Sequence, residues 1–205
     1  MNCTAEFAEG GYRYKLGRDW SGEQLELPTN GNPRSKPAWI KRPCPAHAGT
    51  RFQLECVDCM RQQPERFFSY ALFTMLNPST ADALKDDPTV AKCIRLARRW
   101  GFDGLQVRNI FAIRGTDPAV IKTAVDPVGP KNDAAIIEAA ADVRCGIHVA
   151  AWGNHGSYGN RSLQVRRLLE ELGKPVYCFS VSKQGEPEHP LYQRECDMEE
   201  LVRWL

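Results

Sequence analysis

The sequence predicts an α/β fold in three layers, with a central four-stranded, mainly parallel sheet and a small insertion carrying a zinc-knuckle pattern. Three observations lead there. Short apolar runs alternate with helix-like segments from residue 67 onward, helix start and stop signals separate them, and a polar, turn-rich loop follows every apolar run. With 205 residues, 42% hydrophobic and 25% charged, the chain suits one well-packed domain over 1–205, interrupted by the insertion at 36–66, and rules out wholesale disorder.

Tyr12-Arg-Tyr-Lys-Leu16 alternates as a half-buried strand does, and the Pro-, Gly- and Asn-rich stretch 22–42 reads as a long connection. The first buried strand is Phe68-Ser-Tyr-Ala-Leu-Phe-Thr-Met-Leu76. Asp87 then supplies an N-cap and Pro88 the first helical position of a helix through Trp100, which Gly101 closes. Leu105-Gln-Val-Arg-Asn-Ile110 is the second strand. A short helix over 118–123 and another over 130–141 follow. The third strand is Gly146-Ile-His-Val-Ala-Ala151, an amphipathic helix spans 161–172 up to Gly173, and the fourth strand is Pro175-Val-Tyr-Cys-Phe-Ser180. A last short helix is expected over 197–204. Strands alternating with helices call for parallel pairing, with both faces of the sheet covered.

The first nine residues lack the basic start and apolar run of a secretory signal, and no stretch of about 18 apolar residues could span a bilayer, so a cytoplasmic protein without a membrane partner is expected. In that setting Cys93, Cys145 and Cys178, which fall inside predicted core elements, should be free buried thiols. A formal charge of +2 admits a nucleic-acid or nucleotide partner without requiring one.

The four strands would end at Asn77-Pro-Ser-Thr80, at 109–114, at Trp152-Gly-Asn-His155 and at 182–192. Loops on one edge of a parallel sheet can build a single pocket; the plainer reading is that they are polar because they are surface loops. Asn77 precedes Pro78, which biases its backbone to an extended form and carries its amide past the strand end. There it would hold a water or a ligand oxygen, or else cap an Asx-turn. His189 would donate to a developing oxyanion, or be simply an exposed loop histidine.

Cys44-Pro-Ala-His47 and Cys56-Val-Asp-Cys59 place four soft ligands in two knuckles, a pattern suited to a closed, structural Zn²⁺ site. A redox Cys-x-x-Cys is the rival, though it lacks the usual strand-to-helix placement.

Phe73-Thr-Met-Leu-Asn-Pro-Ser79, Val107 to Pro118, Val149-Ala-Ala-Trp-Gly153 and Glu188-His-Pro-Leu-Tyr192, in that order, resemble the motifs of the uracil-DNA glycosylase superfamily. A closer likeness is to an uncharacterised bacterial and phage family, a domain of unknown function with the same Asn-Pro-Ser-Thr-Ala-Asp, Trp-Gly and His-Pro-Leu-Tyr stations. The glycosylase resemblance implies that Asn77 orients a water for attack at the sugar C1′ and that His189 stabilises the departing base. The converging strand-end loops would place Pro78, Ser79, Thr80, Asn109, Gly153 and His155 in the pocket, and the resemblance further implies that Phe111 or Trp152 stacks on a base. Arg108, Arg114 and Lys183 would meet phosphates, and Leu191 or Tyr192 would serve as the wedge used in base flipping. The first motif lacks the general-base aspartate of the most active members, and His-Pro-Leu-Tyr lacks the serine and second proline of the superfamily's second motif. The expectation is a nucleic-acid-directed, glycosylase-like hydrolase. A non-catalytic nucleotide or nucleic-acid binding module, or an enzyme on free nucleosides or nucleotides, are the alternatives.

Overall fold

The computed structural model describes residues 1–8, 11–20, 68–79, 81, 84–194 and 201–205. The Cys44, His47, Cys56 and Cys59 set, the insertion at 36–66 and Thr80 lie outside these residues. The fold is α/β, as expected, but the sheet is larger and mixed. Seven strands, β1 (Asn2–Ala8), β2 (Tyr12–Asp19), β3 (Tyr70–Met75), β4 (Gly104–Asn109), β5 (Cys145–Ala150), β6 (Tyr177–Cys178) and β7 (Val202–Arg203), lie in the order β1-β2-β4-β3-β5-β6-β7. The run β4-β3-β5-β6 is parallel, while β1 and β2 form an antiparallel hairpin docked antiparallel on β4, and β7 is antiparallel to β6. The expectation of four strands is corrected to seven among the described residues. Of the helix expected over 197–204, residues 197–200 lie outside the described residues, and in the described part Val202–Arg203 forms a strand on β6 instead.

β3 is buried at every position, as a central strand covered on both faces must be. Alternation then sends its side chains to two cores. Ala71, Phe73 and Met75 meet α1 (Pro88–Arg99), whose Val90, Cys93, Leu96 and Ala97 face the sheet. Each such large side chain stabilises the fold by roughly 1.5–3 kcal/mol through burial. Trp100 stacks on Phe73 at 5.8 Å. The α1 ends behave as the sequence indicates: Asp87 accepts from Val90 N, Pro88 starts the helix, and Gly101 at φ +77° stops it.

On the other face Tyr70 and Leu72 pack with Ile136, Ala139 and Ala140 of α3 (Asn132–Ala141) and Val165 and Leu169 of α4 (Arg161–Glu171). The one-turn α2 (Val120–Thr123) adds Ile121 to this core. Cys93 and Cys178 are free and buried, and Cys145 is free and half-buried; burial pushes the Cys145 thiol up to about 12. Among the described residues, no helix is long and apolar enough to cross a membrane.

Candidate functional site at the carboxyl edge of the sheet

In the parallel part of the sheet the chain leaves β3 for β4 on one side and later places β5 on the other. The carboxyl ends of β3 and β5 therefore flank a topological switch point, where open α/β sheets form a ligand crevice. Thr74 pairs with Ala150, and Ala151 N donates to Thr74 O at 2.8 Å. Continuing that register sets Asn77 level with Gly153. On the β4 side, Ile110 N and Phe111 N donate to Met75 O and Leu76 O at 2.8 and 2.9 Å, so the strand-end loops remain stitched past the last strand residue.

Asn77 is half-buried, and its Nδ2 donates to Gly115 O at 2.8 Å and Pro78 O at 3.3 Å. Two carbonyl acceptors fix which end of the amide is nitrogen. Oδ1 accepts no hydrogen bond among the described residues. Gly115 N donates back to Pro78 O at 2.8 Å, and Arg114 Nε donates to Ser79 O at 2.9 Å, so the turn after β3 is clamped to the loop after β4. Ser79 Oγ donates to Asp87 Oδ2, whose other oxygen caps α1. The α1 N-terminus is thereby tied to the same turn.

Gly153, at φ +72° and ψ −177°, occupies backbone space that favours glycine. Its N–H donates to Pro187 O at 2.8 Å, and a Cβ built on it would lie 3.6 Å from the Cβ of His189. That close approach brings the last loop over the end of β5. His189 Nδ1 accepts from Leu191 N at 3.3 Å, capping a single 3₁₀ turn, Pro190–Tyr192. The neutral ring consequently carries its proton on Nε2. Burial pushes the His189 pKa down to about 4, the Lys92 cation acts in the same direction and Asp87 opposes it. At neutral pH it is an uncharged donor. Lys92 Nζ reaches out of α1 to Pro190 O at 2.9 Å and Gln193 O at 2.5 Å, which fixes the loop carrying His189 against the helix.

The structure brings Asn77, Pro78, Ser79, Gly153 and His189 to one edge. Beside them, Pro118, Ile121, Lys122, Asn154, His155 and Tyr158 line a cavity of roughly 160 Å³ between the loops after β4 and β5. His155, Lys183, Leu191 and Tyr192 are exposed on this edge. Four expectations are corrected. Phe111 and Trp152 are only 1% exposed and fill the core instead of offering a face to a base. Arg108, expected at a phosphate, is buried and donates to Ala135 O, Val107 O and Gln106 Oε1. Asn109 is buried with Oδ1 unpartnered among the described residues, so its amide is not presented to a ligand.

Two positions of importance here were not legible as site residues. Asp87 reads in the sequence only as a helix cap. Glu186 accepts from Trp152 Nε1 at 2.7 Å and from Ser162 Oγ at 2.8 Å, anchoring the last loop to β5 and α4. Its partners lie 34 and 24 residues away, and no local pattern announces them.

Fold and edge together define an α/β protein whose Asn77 turn and His189 loop lie at the carboxyl edge of the sheet, at the topological switch point. A family model described as "Protein of unknown function (DUF1643)" matches residues 57–191, and the chain belongs to that family. No curated protein and no solved structure matches the chain.

Proposed function

We propose that the protein is a nucleic-acid-directed hydrolase that cleaves the N-glycosidic bond of a damaged or modified base, with Asn77 and His189 at the reacting centre. The observation that carries this reading is the placement, on the same carboxyl edge, of an amide oxygen without a partner among the described residues and a histidine held neutral. Asn77 Oδ1 supplies an acceptor that orients a water towards C1′. His189 Nε2–H supplies a donor for the negative charge that builds on the departing base. The exposed Tyr192 and Leu191 beside it suit contact with a nucleic acid, and the His155–Tyr158 cavity supplies an aromatic wall with Lys122 for a phosphate. The resemblance of the Asn77 and His189 segments to glycosylase motifs supports this reading, although such a resemblance alone does not fix function.

The four ligands Cys44, His47, Cys56 and Cys59 complete the proposal as a structural Zn²⁺ site. Thiolate and imidazole donors at this spacing suit that ion, which would order a segment too short for its own core.

The test is incubation of the full chain with single- and double-stranded oligonucleotides bearing a panel of modified bases, followed by detection of abasic sites and released base. Base release that falls at least 100-fold in Asn77→Ala and in His189→Ala supports the reading. Release unchanged by both substitutions, or absent across the panel, overturns it. Salt-sensitive binding without release would identify a binding module instead.

A further inference from the structure

Arg108 is a buried cation without a carboxylate. Its side chain is 4% exposed, and three of its five N–H groups donate to neutral oxygens: Nε to Ala135 O at 3.0 Å, Nη1 to Val107 O at 3.0 Å and Nη2 to Gln106 Oε1 at 2.7 Å. No ion pair joins it among the described residues. Such a charge is costly to bury unless an anion accompanies it.

Arg108 borders a cavity of roughly 180 Å³ under α3, whose walls also include Lys15, Tyr70, Gln106, Glu138, Asp142 and Arg144. Tyr70 opens β3, and Asp142 and Arg144 immediately precede β5, so the cavity sits towards the amino ends of the parallel strands, away from the Asn77–His189 crevice. Both carboxylates are already engaged: Glu138 with Lys15 at 3.0 Å, and Asp142 with Arg144 at 2.6 Å. Glu6 also reaches Lys15, at 3.3 Å, so Lys15 and Arg144 are both paired and Arg108 is the one cation of the walls with no carboxylate in ion-pair contact among the described residues. Because Gln106 Oε1 is turned to Arg108, its amide N–H groups remain to donate alongside the two spare guanidinium N–H groups.

We propose that this cavity binds a small oxyanion, a phosphate or carboxylate group, with Arg108 as its principal partner and Gln106 and Lys15 as further donors. A planar guanidinium with two unused N–H groups matches either anion, and the neutral acceptors on its other side hold it in place. The site stands independently of the glycosidic reading.

Titration of the full chain with inorganic phosphate and, separately, acetate tests the proposal, with chloride at matched ionic strength as control. Saturable one-site binding and a rise in Tm above the chloride control are expected with at least one probe, and the stronger probe identifies the anion class. Gln106→Glu places a carboxylate beside Arg108. It is expected to weaken that binding more than tenfold and to raise Tm in the absence of the anion. Lys15→Ala, at a half-exposed position, should weaken binding severalfold. No response to either anion beyond chloride overturns the proposal, and so does unchanged binding in Gln106→Glu or, should that variant not fold, in Lys15→Ala.

Discussion

Trp152 and Glu186 form a buried hydrogen bond of 2.7 Å between the indole Nε1 and the carboxylate Oε2, and this bond joins the end of β5 to the loop that carries His189. The second carboxylate oxygen accepts from Ser162 in the first turn of α4, so one side chain locks three segments.

Glu186→Ala is expected to destabilise the protein by about 2–4 kcal/mol, because it strands two buried donors at once. Glu186→Gln keeps one acceptor and should cost about half as much. Denaturant unfolding measures both, and a loss under about 0.5 kcal/mol for the alanine variant contradicts the locking role.

Gly153→Ala should cost about 1–3 kcal/mol, since φ +72° with ψ −177° is strained for any residue with a Cβ. The added methyl meets the Cβ and the backbone N of His189, both at ordinary contact distances, so the cost is one of backbone strain. Unfolding curves that overlay the parent's would show that Gly153 does not hold this conformation.

Asp87→Ala removes both the α1 cap and the acceptor of Ser79 Oγ, and should destabilise by about 1–2 kcal/mol. Ser79→Ala leaves the cap in place and is expected to cost less. Equal losses in the two variants would contradict the separate capping contribution.

Stability should fall as pH drops from about 6.5. His148 is buried against Thr74, with Oγ1 and Nε2 2.8 Å apart, and burial pushes its pKa down to about 3. His189 lies at about 4. Both are neutral in the folded chain at pH values where the unfolded chain binds their protons. Their contribution is thus complete above the unfolded value near 6.5, and is lost as pH falls towards the folded values. His148→Gln should lower the slope between pH 6 and 4 by about 1.4 kcal/mol per pH unit, the effect of one proton. An unchanged slope contradicts the assignment.

Much of the parallel core was legible because its signals are local. Asp87-Pro88 and Gly101 frame α1 through caps alone, and β3, β4 and β5 fall within two residues of the apolar runs that indicate them. β1 was not legible. Asn2–Ala8 is mostly exposed and contains Asn, Glu and alanines, so its strand form comes from pairing with β2 rather than from its own residues. β7 is only two residues long, and Trp204 beside it gains its place by packing edge-on against Trp152 at 5.1 Å. At the site, Asn77 and His189 stood out as polar residues after strand-like runs. Burial of Phe111, Trp152 and Arg108 was not visible, since an aromatic or basic residue in a strand-end segment reads the same whether it points to solvent or to the core.

On the proposed reading, Asn77 and His189 act on one ligand. Titrating the ¹⁵N-labelled chain with a single-stranded oligonucleotide and following amide shifts tests it most directly. The largest perturbations are expected at the Asn77 side-chain amide, at Gly153 N–H and at Leu191 N–H, which donates to His189. Perturbations confined to other surfaces, with these three signals unmoved at saturation, would contradict it.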